Sequence, residues 1–180
     1  HDLFANTETI EAMTDEALYA LKHGEVQQAR HVLALLASEI VIAVTNIPLA
    51  SYPAAVKSVV PLIDQGKIEE AKAALQAALS TLVETRSVHP LPALRARLLL
   101  KRAETLVEDG QRSEASNERL ETLLNEARQQ LEMAELLGYG KKKDFEPLYA
   151  ELKIVKQKTA GGGGGKGWLD EIKAKLSKLF

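Results

Sequence analysis

The side chains best suited to proton transfer or metal binding near neutral pH are four histidines, His1, His23, His31 and His89. No Glu-x-x-His or His-x-x-x-His spacing occurs, so no helical face carries a ready ligand pair. His23 falls where a helix should end, His31 lies beside Arg30, and His89 precedes Pro90 in a turn. All three read as structural. There is no Cys, which removes thiol catalysis, a Cys zinc site and a disulfide framework. No Gly-x-Ser-x-Gly or Ser-x-x-Lys nucleophile pattern is present. The run GGGGGKG before Trp168 imitates a phosphate loop but does not fit one. A GxxxxGK[ST] motif ending at Lys166 would need Gly at Ala160 and a hydroxyl at Gly167. Carboxylate pairs such as Asp15-Glu16 and Glu69-Glu70 sit in amphipathic patterns and read as solvated faces. The residues therefore point away from an enzyme, and they imply no cofactor and no metal.

Three weaker binding candidates remain. Arg95 and Arg102 share one helical face and make a candidate anion patch, without aromatics for base stacking. Glu39 and Tyr52 are candidate polar points of a small-molecule pocket walled by the Pro-bracketed segment from Asn46 to Pro53. The last thirteen residues, WLDEIKAKLSKLF, place Trp168, Leu169, Ile172, Leu176, Leu179 and Phe180 on one face and charges on the other. Residues 151–180 hold 7 basic and 3 acidic groups, against 16 and 22 in residues 1–150. A positive amphipathic tail is thus joined to a negative body. It is expected to dock in a protein groove, its own or a partner's, with an anionic membrane surface as the alternative.

The elements that position these residues follow from composition and spacing. The chain has 180 residues, 46% hydrophobic but 4% aromatic, with a net charge of −2. Such a core is built from Leu, Ala, Val and Ile, and the charge argues against nucleic acid as a partner. The apolar stretch Val32–Ala50 is long enough to cross a bilayer. Glu39 at its centre, with Ser38, Thr45, Asn46 and Pro48, favours a buried helix instead.

Two segments, LKHGEVQQARHVL (21–33) and IDQGKIEEAKAAL (63–75), align without gaps. Gly24 matches Gly66 and Ala29 matches Ala71. Each reads as a helix, a glycine turn and a second helix packing back. Helices are predicted over 7–23, 25–45, 53–65, 67–85, 91–108, 113–137 and 144–158. The run IVIAV (40–44) has strand propensity, but no partner strand is evident, so it is assigned to a helix. In the 113–137 helix, Leu120, Leu124, Ala127, Leu131 and Ala134 form a seam of about two heptads. The seam belongs inside a bundle or at a subunit contact.

The expected architecture is all-α: an antiparallel helical bundle over 1–159, a flexible Gly-rich linker over 160–167, and an amphipathic tail helix over 168–180. No signal peptide is evident at the start of the chain, and homo-oligomerisation is expected.

The segment IVIAVTNIPLASYPAAVKSVVPLIDQGKIEEAKAALQAAL resembles the YfdX family of bacterial proteins. Pro48 and Leu49 follow the β-branched run as they do in the family. Leu62, Ile63, Gly66, Lys67, Glu70, Ala71, Ala74 and Leu75 match its Leu-Leu-x-x-Gly-Lys-x-x-Glu-Ala-x-x-Ala-Leu pattern. The resemblance is clear over residues 17–85. Ile68 and Glu69 depart from it, because the family often has aromatics there. It implies an all-helical protein of Gram-negative bacteria, often exported and stress-linked, hence periplasmic and otherwise cytoplasmic, with no catalytic residues to carry over. It also brings the expectation of a chaperone-like role toward unfolded clients.

Overall fold

Asn6 opens the first helix: its side chain accepts the Thr9 N–H at 2.9 Å, closing one of the orphan donors of the first turn. That helix, α1 (Thr7–Lys22), ends at Gly24, whose φ of 76° lets the chain reverse into α2 (Val26–Leu35). The computed structural model describes residues 1–180. After α2 come β1 (Glu39–Asn46), α3 (Tyr52–Lys57), α4 (Val60–Asp64), α5 (Ile68–Leu79) and β2 (Val83–Pro90). Four longer helices follow: α6 (Leu91–Glu108), α7 (Glu114–Leu136), α8 (Lys142–Thr159) and α9 (Asp170–Leu179).

The two glycine hairpins seen in the sequence share one geometry. Glu25 N–H donates to Ala20 O and Lys67 N–H to Leu62 O, both at 2.9 Å, across Gly24 and Gly66. Gly66 has φ 71°, and Ala29 and Ala71 are both buried. The small side chain lets each returning helix approach the one before it.

The chain is mostly helical, but β1 and β2 form a two-stranded antiparallel sheet, so it is not all-α. The run Ile40–Val44 is strand, and the helix expected over 67–85 stops at Leu79, leaving Val83–Pro90 to pair with β1. The side-chain amide of Asn46 donates to Val83 O at 3.0 Å and helps fix the far end of the ladder. Pro61 falls in the first turn of α4, where its missing N–H costs nothing.

The chain divides into two compact units. Unit 1 holds residues 1–40 and 89–180, and unit 2 holds residues 41–88. The tail helix is thus part of the first unit, and the expected single bundle over 1–159 is split by an inserted second unit.

Unit 1 carries the main core. Leu100, Ala103 and Val107 of α6 pack with Leu120, Leu124, Ala127, Leu131 and Ala134 of α7, Phe145, Leu148, Leu152 and Val155 of α8, Ile172 and Leu176 of α9, and Leu169 just before it. The α7 seam is therefore interior. Ser38, fully buried, pins the point where the chain leaves this unit. Its N–H donates to the Tyr139 hydroxyl at 2.9 Å and its carbonyl accepts Leu91 N–H at 2.8 Å. Unit 2 buries very little, namely Val59, Ala71 and Ala78 among its apolar residues. No helix of the chain is long and apolar enough to cross a membrane.

Candidate interaction surfaces

The tail lies in a groove of its own chain. α9 packs on α6 and α8, with Leu169, Ile172 and Leu176 essentially inaccessible and Trp168, Leu179 and Phe180 partly buried against the same core. Phe180 meets Phe145 at 6.1 Å between ring centroids, and Lys158 stands 5.5 Å over Trp168. The charged face is used as well. Lys173 pairs with Glu104 and, at 3.0 Å, with Asp170. Lys175 pairs with Glu151 and Glu171, both at 2.9 Å. The Glu104 hydrogen bond raises the Lys173 pKa despite the opposing effect of burial. Lys175 is raised chiefly by Glu151, and Glu171 is lowered by Lys175. Lipid anchoring through this face would require α9 to leave the groove.

The glycines before α9 are not a free tether. Gly165 N–H donates to Val107 O at 2.9 Å. A Cβ on Gly164 would stand 2.7 Å from Val107 O and 3.1 Å from Asp109 O, and one on Gly165 would stand 2.5 Å from Trp168 Nε1. Arg112 holds the run from the other side. Its guanidinium donates to Leu106 O at 2.7 Å, Asp109 O at 2.8 Å, Asn117 Oδ1 at 2.9 Å and the Gly163 carbonyl. Gly-rich sequence here means close packing, where composition alone suggests slack. The sequence signal that was missed is the lone Arg112 in the turn after Gly110.

Arg95 and Arg102 line one surface cavity of about 280 Å³, with Leu98, Leu99, Glu126, Gln129 and Gln130. Arg95 is already engaged: it pairs with Asp2 at 2.6 Å and stands 5.8 Å over the Phe4 ring. Gln130 Oε1 is buried without a partner. A second cavity, about 340 Å³, is walled by Glu114, Glu118, Glu121 and Lys156 near Gly161. Glu39 and Tyr52 line neither of these, nor a third of about 520 Å³ between α7 and α8. Glu39 begins β1 in unit 1, where its carboxylate adds to the effect of burial on Tyr139. Burial is the larger cause, and together they push that phenol up to about 12 against the Ser38 N–H. Tyr52 starts α3 in unit 2. Among the histidines, His23 caps α1 and bonds Tyr19 O through Nδ1 at 2.8 Å.

The least expected surface belongs to unit 2 and the ribbon. Ile40, Val41, Ile42 and Val44 are each exposed by 46–50%. The helices of unit 2 add Val60, Ile63, Ile68 and Leu79, all at least half exposed. More than half of the chain's exposed large apolar side chains fall within residues 41–88.

The protein is mostly helical with one small sheet; one unit holds a deep core and the other exposes most of its large apolar side chains. The family described as YfdX protein matches residues 1–88, just under half of the chain, and this supports the YfdX resemblance read from the sequence. The match spans the α1–α2 hairpin, β1 and all of unit 2. No curated protein and no solved structure matches the chain.

Proposed function

We propose that this chain is a non-enzymatic interaction protein whose working surface is the apolar exterior of unit 2, with a chaperone-like role toward unfolded proteins under stress. The observation that carries the reading is the poverty of the unit 2 core beside the wealth of its exposed Ile, Leu and Val side chains. Monomeric soluble proteins seldom leave contiguous apolar patches beyond a few hundred Å² uncovered. Self-association and transient holding of unfolded chains both use such a surface. The periplasm is the compartment the family resemblance implies.

The test is light scattering of heat-denatured malate dehydrogenase with increasing amounts of the protein. Suppression at substoichiometric amounts is the expected result. Unchanged aggregation across several clients removes the chaperone role and leaves self-association.

A second reading, small-molecule binding, is favoured by the cavity at Arg102. There a spare cation, Glu126 and the unpartnered Gln130 Oε1 surround Leu98 and Leu99. A thermal-shift screen of small carboxylates and amino acids in which nothing stabilises the protein counts against it.

A further inference from the structure

We propose that β1 is the strand through which two copies of this chain pair, edge to edge, into a four-stranded sheet. This rests on the interaction-protein reading above and names the first partner of that surface as a second copy.

The backbone directions come from the ends of the ribbon. Ser38 turns its carbonyl toward Leu91, at 2.8 Å, so even-numbered residues of this strand direct their backbone groups to β2. Glu39 does the opposite. Its N–H donates to His1 O at 2.9 Å and its carbonyl accepts from the His1 nitrogen at 3.1 Å, both on the outer side. By the same alternation Val41, Ala43 and Thr45 present their N–H and C=O groups along the outer edge. The sheet has two strands only, so no third strand takes them up.

Beyond the His1 pairing at Glu39, the edge from Val41 to Thr45 is unguarded. Proteins blunt free strand edges with charge, proline or bulges. β2 does so with Glu84, Arg86 and Pro90, whereas β1 has no charge, no Pro and no Gly between Ile40 and Asn46. A two-fold axis at Ala43 sets Val41 against Thr45 of the partner subunit and Ala43 against itself. No like charges meet. Unit 2 as a whole holds four basic and four acidic residues, so two copies do not repel.

The surface available suits a dimer. Thirteen large apolar side chains of unit 2 are exposed by 37–81%. Complete burial of one such side chain removes about 60–120 Å² from water, so at roughly half exposure they offer about 400–800 Å² in total. A standard interface takes about 800 Å² from each partner, somewhat over half of it apolar.

The Cys-free sequence makes the test direct. Ala43→Cys gives the full-length protein one thiol at the axis, and hydrogen-bonded antiparallel pairs hold Cα atoms about 5.5 Å apart, within disulfide reach. Mild copper–phenanthroline oxidation at micromolar protein should convert Ala43→Cys to a covalent dimer. Arg86→Cys, central on the β2 edge, should stay monomeric on the same gel. Ala43→Pro removes an outward N–H that β2 does not use. It should shift the light-scattering mass from dimer to monomer with the circular dichroism spectrum unchanged.

A wild-type monomer, equal crosslinking of the two cysteine variants, or an Ala43→Pro mass still at the dimer overturns the proposal. Client assays separate this from the broader reading. Client protection by a wild-type monomer would make β1 a site for client strands, sinking the pairing and keeping the function. A β1-linked dimer without client protection keeps the pairing and removes the chaperone role.

Discussion

Gly164 is where residue chemistry and sequence appearance conflict most. A Gly run read as a flexible tether predicts that Gly→Ala is neutral or stabilises by about 0.4–1 kcal/mol, by restricting the unfolded chain. Its Cβ would instead meet two backbone carbonyl oxygens at 2.7 and 3.1 Å, and backbone does not yield as a side-chain end does. Gly164→Ala should therefore destabilise by about 1–3 kcal/mol, as overpacking does. Gly110→Ala, which meets nothing within 4 Å, serves as the control and should stay within about 0.5 kcal/mol. Chemical denaturation of the two variants decides the matter; equal stabilities would restore the free tether.

Tyr139 supplies a pH-dependent counterpart. Its phenol is held neutral by burial and by Glu39, with a pKa raised from 10.0 to about 12. Above pH 10 the unfolded chain loses this proton first, so the folded state binds more protons and stability falls as pH rises to about 12. Tyr149, also raised by burial and by its hydrogen bond to Glu135, acts in the same direction. Tyr139→Phe should soften the alkaline fall in Tm. At neutral pH it should cost about 1 kcal/mol, because the buried Ser38 N–H loses its acceptor. A variant with an unchanged alkaline profile would show that this phenol is not responsible.

Among the elements, α9 shows how a short helix is held. Ten residues are marginal as an isolated helix, so tertiary burial must fix it. Ile172 is fully buried, and Ile172→Ala should cost about 2–5 kcal/mol. Lys173 remains partly exposed in its pairs with Glu104 and Asp170, so Lys173→Ala should cost no more than about 1 kcal/mol. Comparable losses in thermal melts would mean that charge, not burial, seats the tail.

The same contrast explains what the sequence made legible. α7 and α9 carry their apolar spacing locally, and their buried residues match the faces read from it. The Gly24 and Gly66 hairpins were also visible, since both their signals lie within a few residues. β1 was not. Ile40–Val44 has the right propensity, but its partner Val83–Pro90 lies about forty residues away and lacks an apolar alternation to announce itself. The Arg112 clasp on Gly163 depends likewise on a contact across 51 residues. Arg95 and Arg102 were placed together correctly by helical spacing, while the Asp2 carboxylate on Arg95 arrives from 93 residues away.

At the scale of the molecule, the two units differ in how they are stabilised. Unit 1 owns a core of Leu, Ile, Val and Phe side chains contributed by four helices. Unit 2 has forty-eight residues and buries only Val59, Ala71 and Ala78. Domains near this size bury only about 60% of the surface their unfolded chains expose, and are marginal even with a good core. Local opening free energies follow apolar burial, so α5 should open more readily than α6 or α7. Pairing through β1 adds a concentration-dependent term to the folded state of unit 2, because a partner that binds only the folded form stabilises it by mass action. Hydrogen exchange can read both effects in one experiment. At nanomolar protein the amides of Ile68–Leu79 should exchange much faster than those of α6 and α7. At tens of micromolar they should slow, while the core of α6 and α7 stays unchanged. Ala43→Pro should show the fast regime at every concentration. If α5 is as protected as α7 in dilute solution, unit 2 is stable without a partner, and its apolar exterior needs another explanation.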